Sequence, residues 1–287
     1  MDHLKDKIYG TIIGGVLGDI LCSAQVQLDL RYGALYKIKQ PLDLSTFGIN
    51  HMNWTENTCT FLALLTALQH DTEPLVLYRE VLYQGKFTCS QVYLDQDTIC
   101  VCTDAPAPAH AHNPGSLVRT SAISLHYFNS YEDLLRESHA NSMLTHKCLE
   151  CADVCKLFSS IIDSTLHGRS KKEILSADYY GNLQLSVELW GILSDITLLI
   201  PDPELGLNNT QLVLYQVLYC FKKSNNFKDG LVMILTLDIP YKNFVGTLYG
   251  QIAGAYYGLT DIDECWLDNL DGENLTDLAN QCCNNIK

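Results

Sequence analysis

The chain has 287 residues, 33 of them Asp or Glu and 19 Lys or Arg, for a formal charge of −14. With 47% apolar and 18% charged residues its composition is globular, which excludes a disordered or fibrous chain. An acidic chain without a Lys/Arg-rich run is unsuited to gripping nucleic acid across its surface, although a local pocket can still take a small anion.

Apolar residues recur mainly at helical spacing. In chain order, helices are expected over residues 4–21, 56–69, 116–128, 144–166, 184–199, 211–221, 241–258 and 273–282. The clearest is the face Leu144, Cys148, Cys151, Cys155, Phe158, Ile162 and Leu166, with Ser142 as its expected cap and Gly168 as its left-handed end. Strand alternation is scarce, and 98–103 is its best short candidate. Residues 31–53 and 95–114 read as loops, the second carrying Pro106, Pro108 and Pro114. With no repeat and no long linker, residues 1–287 read as a single all-α domain.

Two helices carry glycine every fourth residue: Gly10, Gly14, Gly18 in the first, and Gly246, Gly250, Gly254, Gly258 in the last long one. A mid-helix glycine costs roughly 1 kcal/mol relative to alanine, so two such stripes imply close helix–helix approach. The uncharged stretch 243–260 contains those four glycines and Gln251, which does not suit a membrane span of about 20 apolar residues. No secretion signal opens the chain, and the twelve cysteines read as mostly reduced and buried, so a cytoplasmic or nuclear protein is expected. Cys100, Cys102, His110 and His112 offer four zinc ligands, but their spacing fits no familiar finger, and chance clustering is preferred. Cys148 and Cys151 lie on the apolar helix face and read as core.

Gly10 to Asp19, Trp54 to Thr58, Asn113 to Arg119, Ser142 to His146 and residues 250–258 follow one another in an order that resembles the ADP-ribosylglycohydrolase family. Gly10-Thr-Ile-Ile-Gly14-Gly-Val-Leu-Gly18-Asp19 is similar to its opening helix, and Trp54-Thr55-Glu56-Asn57-Thr58 falls where the family has Trp-Thr-Asp-Asp-Thr. Asn113-Pro114-Gly115-Ser116-Leu117-Val118-Arg119 resembles Asn-Gly-Ser-x-Met-Arg, and Ser142-Met-Leu-Thr145-His146 resembles Ser-x-x-Thr-His. Residues 250–258, with Ile262, Trp266 and Leu267, resemble the closing helix and its exit. The resemblance implies an all-α fold around a cleft for ADP-ribose and two magnesium ions, and hydrolysis at the distal ribose.

Carried over, the family's first acidic set becomes Thr55, Glu56 and Asn57, and its Asp-x-Asp-Thr becomes Tyr241, Lys242, Asn243 and Phe244, with Asp238 the nearest acid. The family's gating Glu falls at Val26, between Gln25 and Gln27. Magnesium wants hard anionic oxygens, so its binding is doubtful here. Thr55 with Glu56, and Asp238 with Pro240, also suit plain helix starts. On the ligand side, Gly115 and Ser116 could offer backbone N–H groups to a phosphate, Arg119 a charge or a buried pair, and His146 a contact to the ribose. Asp19 reads as an organiser of helix contacts. The expected function is therefore an impaired relative that binds ADP-ribose or an ADP-ribosylated protein. The alternatives are a working magnesium-dependent hydrolase with an atypical site, and an interaction protein that keeps only the fold.

Overall fold

The computed structural model describes residues 2–32, 37–38, 53–87, 94–106, 112–198, 206–268, 270 and 273–285. Among these residues there are helices and turns but no strand, as an all-α reading requires. The centre is a pair of helices, α1 (His3–Tyr32) and, late in the chain, a helix over Lys242–Tyr257. Their glycine stripes face each other: a Cβ on Gly10, Gly14 or Gly18 would run into the carbonyl oxygen of Gly254, Gly250 or Gly246. Backbone therefore lies directly on backbone, which only side-chain-free positions allow. By length and apolarity α1 would suffice to cross a membrane, but 89% of its most apolar stretch is buried, as in a core helix.

Around this pair the chain adds α2 (Glu56–Gln69), α3 (Pro74–Gln84), α4 (Gln96–Cys102), α5 (Ser121–His126), α6 (Tyr131–Thr145) and α7 (Leu149–Leu166). There follow α8 (Lys171–Ile174), a 3-10 turn over Ala177–Leu183, α9 (Val187–Ser194), α10 (Asn209–Lys223) and α11 (Phe227–Thr236). The Lys242–Tyr257 helix is α12, and α13 (Glu264–Leu267) and α14 (Glu273–Asn285) close the fold. Helices α7, α10 and α11 pack on one flank of α12, and α2 packs against α3 and α5. Local chemistry sets many of the ends. Asn208 and Gln211 form a reciprocal capping box at α10, and Pro74 sits at the start of α3 with Gly85 left-handed at its end.

The structure corrects several expectations. The expected helix 144–166 is two helices, because Lys147 adopts a left-handed φ of 45° and Cys148 is extended. Ser142 lies inside α6, and the Cys148 sulfur caps α7 by accepting from the Cys151 N–H. Gly168 does end α7 at φ 77°. Residues 98–103 are not a strand: Asp95 accepts from the Thr98 N–H at 2.9 Å and starts helix α4, overriding the β-branched Thr98, Ile99 and Val101. Only Ser121–His126 of 116–128 is α-helical, since 114–120 is a run of tight turns behind Pro114. Residue 31 belongs to α1, and most of the expected first loop, with Pro108 and His110 of the second, lies outside the described residues. Helices α3, α6 and α11 were not expected.

Candidate ligand cleft and metal residues

The N-terminus of α2 is pinned by one carboxylate. Asp19, fully buried on α1, accepts from the Thr55 N–H (2.8 Å) and hydroxyl (2.7 Å) and from the Thr58 hydroxyl (2.7 Å) and N–H (3.2 Å). Burial raises its pKa, and these four bonds work against that rise. Thr55 in turn caps α2 by accepting from the Asn57 N–H at 3.3 Å. The Thr55 hydroxyl proton is thus committed to Asp19, and its oxygen to the helix cap.

Glu56 follows on the first turn. Burial, with the charges of Asp19 and Asp95 nearby, pushes its carboxyl up to about 7. Asn57 is 1% exposed; its amide donates to the Thr247 hydroxyl on α12 at 3.2 Å, and its Oδ1 is buried without a hydrogen-bond partner. That orphaned oxygen is the strongest local sign of a ligand or water position on this side.

A second group of polar residues, whose Asp95 lies near enough to act on Glu56, comes from α4, the 112–120 turns and the α6–α7 junction. Asp95 caps α4, and a Cβ on Gly115 would meet its Oδ2 at 2.6 Å, so a larger residue there would have to push the Asp95 side chain aside. Asn113 donates to Asp97 at 2.8 Å, and its Oδ1 accepts from the Gly115 N–H at 2.6 Å. The Ser116 N–H donates to His146 Nε2 at 3.2 Å. A backbone amide can only donate, so Nε2 is bare and the imidazole proton sits on Nδ1, 2.7 Å from the Thr145 hydroxyl oxygen. Burial drives His146 down to about 4, helped by Arg119 and opposed by Asp95, whose Oδ1 is 3.8 Å away. Burial also raises Asp95, but His146, Arg119 and the Thr98 bonds outweigh it and hold it below its ordinary value. Asp97 is pushed up to about 6 by burial and by Asp95.

Arg119 has no exposed surface. Its guanidinium donates to Asn141 Oδ1 (3.1 Å), the Gly115 carbonyl (3.1 Å) and the Thr145 hydroxyl, and it lies over the Tyr78 ring. Its fork therefore ties α6 to the 112–120 turns. The Gly115 and Ser116 N–H groups, expected to face a phosphate, are held by the Asn113 and His146 side chains, which an anion would have to displace.

The family's second acidic stretch falls at the start of α12. Tyr241 is left-handed at φ 56°, and Lys242, 4% exposed, places its ammonium 3.1 Å from Asp29 Oδ2 on α1. Gln25, beside the Val26 that falls at the gating position, also donates to Asp29, at 2.9 Å, and accepts from the Ile38 N–H at 2.8 Å. Phe244 packs partly buried against the core, and Asp238 is exposed in the turn between α11 and α12.

A two-magnesium set does not fit these donors. One side offers a single carboxylate that holds its proton to about pH 7; the other offers an ammonium, an amide and a phenyl ring. Instead, Asp95, Asp97 and His146 gather ligand atoms within 4.8 Å of one another. Sequence reading missed Asp95 and Asp97, which lay in an apparent loop; the β-branched Thr98 and Ile99, three and four residues after Asp95, concealed its role as a cap. Asp29 was missed as well, because nothing local announces its ion pair with Lys242, which comes from the other end of the chain.

Comparison with known proteins agrees with the fold. A curated relative, the ADP-ribosylarginine hydrolase Tri1 of Serratia proteamaculans (strain 568), is 24% identical over 297 residues, covering 96% of this chain and 78% of Tri1. A solved structure described as an ADP-ribosylglycohydrolase-related protein complex superposes with a TM-score of 0.80 at 23% identity, covering all of both chains. The sequence model of the ADP-ribosylglycohydrolase family matches residues 1–287, so the chain belongs to that family.

Proposed function

We propose that this chain is a catalytically impaired member of its family that binds ADP-ribose or an ADP-ribosylated protein. The observation that carries this reading is the Lys242–Asp29 ion pair, 3.1 Å long and nearly buried, at the stretch where the family carries its second pair of carboxylates. At residues 241–244 the one charged group is this ammonium, already neutralised by Asp29, so the stretch offers a divalent ion no carboxylate. Within the carried-over set Thr55, Glu56 and Asn57, the carboxyl of Glu56 is neutral below about pH 7 and so supplies no charged base in weakly acidic solution. The binding half of the reading is supported by the orphaned Asn57 Oδ1 and by a neutral His146 beside the Gly115–Ser116 backbone.

The test is a calorimetric titration of ADP-ribose with and without magnesium, beside an assay for ADP-ribose release from an ADP-ribosylated arginine, the substrate class that Tri1's name carries. The expected result is metal-independent binding without release. Magnesium-dependent release that falls in Glu56→Ala or Asp238→Ala overturns the proposal. A second reading, a hydrolase using one metal, is favoured by the Asp95–Asp97–His146 group. It requires metal-dependent release that is lost in Asp97→Asn. Neither binding nor release points to an interaction protein.

A further inference from the structure

Away from the cleft interior, the fold gathers three soft ligands that the sequence keeps apart. Cys148 Sγ lies 3.3 Å from His112 Nδ1 and 3.4 Å from Glu150 Oε2, and the ligand atoms of His112, Cys148 and Cys151 all fall within 4.8 Å of one another. We propose that His112, Cys148 and Cys151 form a zinc site, with the Glu150 carboxylate or a water as fourth ligand.

Geometry and chemistry support it independently. Zinc–sulfur and zinc–nitrogen bonds of about 2.3 and 2.0 Å place a tetrahedral sulfur and nitrogen roughly 3.5 Å apart, so the Cys148–His112 spacing needs only a few tenths of an ångström of opening. Cys148 is the N-cap of α7, an 18-residue helix, and its sulfur accepts the Cys151 N–H at 3.3 Å. Both the helix dipole and that N–H···S bond favour a thiolate. The outer groups are in place as well: the Thr210 hydroxyl lies 3.5 Å from Cys151 Sγ and donates to the His112 carbonyl at 3.0 Å, fixing two ligands from behind. Beside the cluster a cavity of about 430 Å³, lined in part by His112, Glu150, Asp153 and Glu188, gives an ion an acidic entrance. A cysteine serving only as core filler has no use for an imidazole, a carboxylate and a polar cavity. Burial holds the Cys148 and Cys151 thiols above their ordinary pKa, so zinc binding releases their two protons to solvent, and the site gains two thiolates against the ion's two charges.

The site joins the segment leading into Asn113 and Gly115 to the turn just after His146. It therefore clamps two pieces of the cleft wall, whatever the cleft binds.

Full-length protein expressed with added zinc and dialysed against metal-free buffer is expected to retain about one zinc ion per chain. Cobalt(II) added to chelator-stripped protein is expected to show thiolate-to-cobalt charge-transfer absorption in the near ultraviolet. Cys148→Ser and Cys151→Ser should each cut zinc affinity more than about tenfold and weaken that absorption, whereas Cys265→Ser, at an exposed thiol elsewhere, should change neither. His112→Ala, on a partly exposed ring, carries the test if the cysteine variants do not fold. The proposal is overturned by wild-type protein that holds no zinc and gives no charge-transfer band. It is equally overturned by unchanged zinc affinity in Cys148→Ser, Cys151→Ser and His112→Ala.

Discussion

Glu56 shows how much one carboxyl can report. Its folded pKa of about 7 lies above the ordinary 4.5, so the native chain holds this proton more tightly than the unfolded one. The sign follows: its contribution is harmless below about pH 4.5 and increasingly destabilising as pH rises to 7. Asp97, raised to about 6, acts in the same direction, while His146, lowered to about 4, acts oppositely and favours folding as pH climbs toward 6.5. Because these terms overlap, the wild-type profile alone cannot separate them, but a single variant can. Glu56→Gln should stabilise the protein by about 1–3 kcal/mol at about pH 8, discounted for its partial exposure, and by nothing measurable at about pH 4. Urea denaturation at the two pH values checks this; an equal gain at both would mean that the charge is not the cause. The identity of this residue was plain from its motif, but its titration was not, since that depends on Asp19 and Asp95 arriving from other elements.

At the scale of elements, the glycine stripes of α1 and α12 were the most legible feature, because a repeated penalty along one face has few explanations other than contact. Gly250→Ala should destabilise by about 2–4 kcal/mol, since its new Cβ meets the Gly14 backbone, which cannot rotate away as a side chain would. Gly181→Ala, where nothing lies within 4 Å of the added carbon, should be neutral within about 0.5 kcal/mol. Thermal melts of both variants measure the difference, and equal costs would place the penalty in local propensity instead of helix contact. Periodicity succeeded where one apolar face is buried, as in α7 after residue 148. It failed at 144–148, where Leu144 and Cys148 kept helical spacing across a left-handed Lys147. It failed at 98–103 too, where a side-chain cap three residues back outweighed β-branched propensity. Both failures are decided by single residues that a windowed pattern averages away.

At the scale of the molecule, the ordered motifs disclosed the family and its fold, while the site's electrostatics came only from three dimensions. Glu56, the Asp95–Asp97 pair and Arg119 come from three separate stretches of the chain, and their balance decides what an anion meets. In the proposed binding role, ADP-ribose would bring a diphosphate to a chain of formal charge −14. In the cleft Arg119 is enclosed and engaged by neutral oxygens, His146 is neutral, and Asp95 is ionised. The remaining variable charges are Glu56 and Asp97, titrating near 7 and 6. Without paired magnesium to neutralise the diphosphate, affinity should fall as these two ionise. Two charges about 8 Å from one another at an effective dielectric of about 40 repel by roughly 1 kcal/mol, so about a fivefold loss is expected between about pH 5.5 and pH 8. By linkage, the ligand must then raise the Glu56 pKa and draw a proton into the complex near neutrality. Calorimetry in two buffers of different ionisation heat reads that proton uptake directly, and Glu56→Gln should remove most of it. Affinity that rises with pH, or magnesium that restores binding at pH 8, would mean that the carboxylates serve a metal after all.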